Sequence, residues 1–145
     1  MTFQRQGSGR RKSRVGKIRR GGPAVECAFC LPLVLIFMFG TLEICSAIFL
    51  KESLTIACYE GARSGVKRRA TNQDSVDRAE EIIAARGVTG AIIQVTPEDF
   101  STLSALDEIT VTITAPAEGN LFFINQFMPG KHVSSTVVMV REFDE

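Results

Sequence analysis

The side chains able to do chemistry in this chain are few, and their spacing does not build a catalytic centre. His132 is the only histidine, no Walker A or G-x-G-x-x-G pattern occurs, and no serine, histidine and acid set has a convincing context. His132 reads most simply as a strand-edge residue, and enzyme activity is not expected. Cys27 and Cys30 form a C-x-x-C, a spacing used in zinc and thioredoxin-like sites. Here it has no second pair and no βαβ context, so neither a metal nor any other cofactor is expected. Both cysteines, like Cys45, read as apolar lipid- or helix-facing residues, with palmitoylation near the membrane surface as a further option. Cys58 has two readings: a thiol that pairs between chains, or an unreactive buried one.

The carboxylates say more. Glu43 lies inside a long apolar run, about five residues past its midpoint, where an ionised side chain costs about 2.5–3.5 kcal/mol on insertion scales. Compensation is required, by protonation, by snorkelling towards the outer interface or by a partner in another helix. Glu26 sits at the opposite end, in the predicted first helical turn, where the macrodipole favours negative charge. Pro23 suits a helix start. Pro32 falls within the helix, removes one backbone hydrogen bond and is expected to kink it, which membrane helices tolerate.

The element that positions these groups is the run Cys27–Leu50. Its 24 residues make a helix of roughly 36 Å, enough to cross a hydrocarbon core of about 30 Å with some tilt. A core helix of a soluble domain fits less well, because so small a domain has little to cover every face of it. A cleavable secretory signal fits less well too, since its apolar region is shorter and ends in a small-residue cleavage site that is missing here. Charge sets the orientation. Eight basic and no acidic residues precede Glu26, whereas nine basic and fourteen acidic residues follow Leu50. Lysine and arginine are retained on the cytoplasmic side, so the N-terminus is expected inside and the C-terminal portion outside. The basic tail suits disorder or anionic headgroups of the lipid bilayer; beside a membrane segment, nucleic-acid binding is the lesser reading.

Beyond the run, helical patterning continues from Lys51 to about Arg69. Ala57, Gly61 and Gly65 place three small residues on one face, a row that admits either another subunit's helix or this chain's own sheet or second helix. A second helix is predicted with Asn72 or Asp74 as cap; it carries Val76, Ala79, Ile82 and Ile83 inward and stops at Gly87. Strands are predicted over 91–96, 109–114 and 133–143, the first halted by Pro97 and the second strictly alternating. This order predicts an α+β fold: a long N-terminal transmembrane helix continuing outside the membrane, a second helix, then a small antiparallel sheet of three or four strands. The apolar segment Asn120–Met128 reads as core filling between sheet and helix, or as a partner-facing or membrane-grazing surface.

Four local motifs, in order, carry a family resemblance: Arg19-Arg-Gly-Gly-Pro-Ala-Val-Glu26, Leu31-Pro-Leu33, Phe39-Gly-Thr-Leu-Glu43 and Ala57-Cys-Tyr-Glu-Gly-Ala-Arg63. Over about residues 19–66 the chain resembles the TadE-like proteins, pseudopilins of the tight adherence (Flp pilus) system. The resemblance implies that a prepilin peptidase cuts between Gly21 and Gly22, leaving Glu26 as fifth residue of the mature chain, and that Glu26 then helps docking into an assembly. Pro23 follows close behind this cut, and Cys27 stands where the family often has an aromatic residue.

The expected organisation is a basic cytoplasmic leader over 1–21, a transmembrane helix over 22–50 and an extracytoplasmic domain over 51–145. The resemblance implies a single-pass protein of the bacterial inner membrane, with its C-terminal domain periplasmic or extracellular. Expected partners are other pilus or secretion-system membrane subunits, in homo- or hetero-oligomers, and the peptidase. Glu26 with Gly21 and Gly22 forms the candidate processing site; Glu43, Ala57, Gly61 and Gly65 are the candidate helix-packing residues. A different class of function is an unprocessed anchor whose outer domain binds an envelope partner or ligand.

Overall fold

The computed structural model describes residues 21–102, 104–122 and 130–142. The basic tail, most of the phenylalanine-rich segment and the end of the last predicted strand lie outside the described residues. The chain divides into one unit that ends at Ile36 and another that begins at Phe37. Helix α1, Gly22–Gly65, contributes to both.

In the first unit every described residue is exposed, including Phe29 at 79% and Ile36 at 67%. The most apolar 18-residue window of α1 is only 11% buried. A soluble core helix would be covered by its own domain, so this helix fits a single-pass membrane anchor. The helix begins at Gly22, which places Glu26 just beyond the first turn rather than in it. Pro23 suits this start, because a proline near the N-terminus has no N–H that needs an intrahelical acceptor. Pro32 lies inside the helix without ending it.

The second unit holds the α+β domain: the rest of α1, helix α2 (Asn72–Ala85), strand β1 (Ile92–Thr96), a single 3-10 turn (Phe100–Thr102), strand β2 (Glu108–Pro116) and strand β3 (His132–Val140). The strands form an antiparallel sheet ordered β1-β2-β3. Val111 lies opposite Val95 on one side and Val137 on the other. The strict alternation of β2 puts Ile109, Val111, Ile113 and Ala115 fully into the core, while the intervening threonines take the other face. The helices supply Leu54, Ala57, Cys58 and Ala62 from α1 and Ala79 from α2, all fully buried, together with Ile83. Each fully buried leucine, isoleucine or valine side chain contributes about 1.5–3 kcal/mol.

Several boundaries move, and three of the shifts follow from local contacts. Helix α1 ends at Gly65, not near Arg69. Val66 is the last residue here to pack against the core, and Lys67, Arg68 and Arg69 offer nothing to bury, so the chain turns through an Ala70 N–H to Lys67 oxygen bond of 3.1 Å, with Arg69 at φ +62°. The cap of α2 is Thr71, one residue before Asn72, the nearer of the two expected caps. Its hydroxyl accepts from the Asp74 amide at 3.3 Å, and the Asp74 carboxylate accepts from the Thr71 amide at 2.7 Å, a reciprocal capping box. The third strand stops at Val140 because Arg141, only 1% exposed, turns inward and donates from Nη1 to the Phe100 oxygen at 3.3 Å. His132 opens β3 and is exposed. Gly87, at φ +66°, lies just past the C-cap of α2, where the left-handed backbone favours glycine.

Candidate functional site

The candidate packing residues occupy one side of α1 in the second unit, and the structure fills that side from within the chain. Ala57, Gly61 and Gly65 are all buried. A Cβ placed on Gly61 would stand 3.0 Å from the Ser75 carbonyl oxygen and 3.2 Å from the Ala79 Cβ, so α2 crosses α1 directly over this glycine. At Gly65 the added carbon would collide with the Ser75 hydroxyl and lie 3.1 Å from the Phe100 ring. At Gly61 and Gly65 the close neighbour within this chain is its own second helix. Glu60 and Arg78 tie the same crossing at its surface, 3.4 Å apart.

Further along this side α1 meets β3. Lys51 Nζ donates to the Ser134 oxygen, the Thr55 and Ser135 hydroxyls are 2.9 Å apart, and Cys58 Sγ donates to the Ser135 oxygen at 3.3 Å. Cys58 is therefore buried, as the second of the two readings has it. Burial pushes its pKa up, against the lowering effect of the hydrogen bonds and of Lys51. Cys27, Cys30 and Cys45 are exposed on α1. Among the described residues, no group of three or more His, Cys, Asp or Glu side chains could hold a metal ion.

Glu43 is only 6% exposed, and one of its partners is of a kind not anticipated. Instead of another helix, the β2–β3 connection supplies it: the Phe122 amide donates to Glu43 Oε2 at 3.2 Å. Several bonds brace that turn. Asn120 accepts from the Thr89 amide at 2.9 Å and donates to the Thr89 and Pro116 oxygens at 2.9 and 2.8 Å. Ala117 donates to the Lys131 oxygen at 2.8 Å and accepts from Leu121 at 3.0 Å. Leu121 is buried, whereas Phe122 is 79% exposed. No local pattern marks Asn120 as a clamp, although the Thr71-x-x-Asp74 spacing does signal the capping box.

The candidate processing residues lie at the beginning of the described chain. Gly21 and Gly22 are exposed, and a side chain on either would meet nothing within 4 Å. Glu26 is exposed four residues into the helix.

An exposed apolar N-terminal helix and a small α+β domain fit the class of single-pass membrane anchors. Residues 21–63, less than half of the chain, match the family model described as TadE-like protein, so this segment is similar to that family. Neither the curated proteins nor the solved structures yield a match.

Proposed function

We propose that the chain is a non-enzymatic pseudopilin or assembly factor of a tight adherence pilus or a related secretion apparatus, cut by a prepilin peptidase between Gly21 and Gly22. The observation that carries this reading is the position of the family match. It opens at Gly21, at the proposed cut, and helix α1 opens at Gly22. Cleavage there removes the basic leader and frees an amino group near Glu26, where a carboxylate of a neighbouring subunit's helix would pair with it. The exposed apolar helix supplies the surface for membrane subunits to meet, in the bacterial inner membrane with the N-terminus cytoplasmic. Because Gly61 and Gly65 are filled by α2, contacts between subunits fall to the exposed side of α1.

A C-terminally tagged chain expressed with and without the peptidase tests the reading. Loss of residues 1–21 only when the peptidase is present supports it. One size in both strains refutes processing and favours an unprocessed anchor whose outer domain binds an envelope partner. A phosphatase fusion after Arg69 that is active outside the cytoplasm supports the orientation, and an inactive one refutes it.

A further inference from the structure

Phe122 is a large apolar side chain held in the open on a rigid support. Its ring is 79% exposed, yet its backbone is fixed by the Glu43 carboxylate and by the Asn120 clamp two residues earlier. Glu43 belongs to a stretch of α1 whose uncovered side is apolar: Leu42, Ile44, Ile48 and Phe49 are 51–65% exposed. The first formal charges after Glu43 are Lys51 and Glu52, about 12 Å further along the helix. The bond from Phe122 to Glu43 therefore sets an exposed aromatic ring level with an uncharged, exposed section of the helix, below the first charges of the domain. A turn that merely closed a hairpin in water would have no reason to fix an exposed phenylalanine at this level.

We propose that the turn bearing Phe122 is a second membrane contact, its ring entering the outer interfacial layer of the bilayer beside α1. This inference rests on the reading of α1 as a membrane anchor and adds a docking point for the outer domain. Glu43 has a positioning role in it. Its carboxylate lies at the boundary, where the Phe122 N–H helps to satisfy it, and the same bond holds the turn down against the lipid. The occupant is lipid because the apolar belt around Glu43 continues the exposed apolar surface of α1, and a bilayer covers such a surface without a matching shape.

The chain contains no tryptophan, so a single introduced indole reports its own surroundings. Full-length Phe122→Trp and Phe37→Trp chains would be reconstituted separately into phosphatidylcholine vesicles, with and without lipids brominated near the headgroup end of the acyl chains or deeper. Phe37 is a control because it lies on α1 and is 68% exposed. The expected result is that shallow bromines at least halve the Phe122→Trp emission, deep bromines quench it less, and aqueous iodide has little effect. Adding Glu43→Ala should move the indole towards iodide and away from bromine.

Quenching by iodide alone at position 122, with bromine quenching retained at 37, overturns the membrane contact and leaves the anchor standing. Shielding from both quenchers at 122 also overturns it and points to a second copy as the occupant. Absence of bromine quenching at 37 overturns the anchor and the contact together.

Discussion

The Glu43 carboxylate accepts a hydrogen bond from the Phe122 amide at 3.2 Å, across 79 residues of sequence. A carboxylate exposed to lipid would burden the helix, and its removal would stabilise the protein. One that is 6% exposed and receives a backbone N–H is part of the fold, and its removal should do the opposite. Glu43→Ala is expected to destabilise the full-length chain in detergent by about 1–3 kcal/mol, and Glu43→Gln by less, because the amide oxygen still accepts. Denaturant midpoints of the three chains decide this. Unchanged or raised stability of Glu43→Ala would remove the bond from the account of the fold.

The two packed glycines carry a second prediction. Alanine in place of glycine in a helix normally gains up to about 1 kcal/mol from propensity. At Gly40 nothing lies within 4 Å of the added carbon, so Gly40→Ala should be neutral or stabilising. At Gly61 the new carbon meets the Ser75 carbonyl oxygen at 3.0 Å, and backbone cannot swing aside as a long side chain can. Gly61→Ala should therefore lose its propensity gain, and Gly61→Val should be destabilised by about 1–3 kcal/mol through overpacking. Thermal unfolding of the four chains side by side is the measurement. Equal midpoints for Gly40→Ala and Gly61→Val would mean that α2 does not pack at this crossing.

These glycines also show where sequence reasoning stopped. A row of small residues every fourth position says that something approaches the helix closely, but an internal helix and a neighbouring subunit demand the same pattern. The apolar run and the alternation of β2 were legible because burial imposes its period directly on the residues concerned. The end of α1 was less legible, because Lys67, Arg68 and Arg69 suit a helix well enough although the helix ends at Gly65. Glu43 announced that it needed compensation, whereas the identity of its partner depended on a turn whose docking leaves no periodic trace. Buried Arg141 was hidden in the same way, at the end of a run that reads as uninterrupted strand.

The capping box of α2 predicts an acid-sensitive contribution to stability. The Thr71 amide and hydroxyl both donate to Asp74, which lowers its pKa from the ordinary carboxylate value in the folded state. A depressed folded-state pKa means that folding favours the ionised form. Its contribution is present above the ordinary value of about 4 and is lost as pH falls through the more acid folded value. Asp99 and Asp107 are shifted the same way, by the Ser101 and Ser104 amides, so the wild-type chain alone cannot isolate Asp74. The difference in unfolding midpoint between wild type and Asp74→Asn should be clear at neutral pH and shrink towards zero in strong acid. A difference independent of pH would assign the effect to helix propensity instead.

Cys58 is the last case, and its chemistry depends on the integrity of the domain. The thiol is fully buried between α1 and β3, donates to the Ser135 oxygen at 3.3 Å, and has its pKa raised by burial. Thiolate, the reactive form, is therefore disfavoured, and no reagent reaches the sulfur without opening the contact between α1 and β3. The three other cysteines are exposed on α1, so the test needs a Cys27→Ser, Cys30→Ser, Cys45→Ser background. In that background the native chain should resist maleimide labelling and form no disulfide-linked dimer under oxidising conditions, while denaturant should make Cys58 fully reactive. Adding Glu43→Ala should raise the native labelling rate only if the turn and the α1–β3 contact open together. Rapid labelling of the native parent would show that the α1–β3 contact is open in solution, and would return Cys58 to the reading in which it pairs between chains.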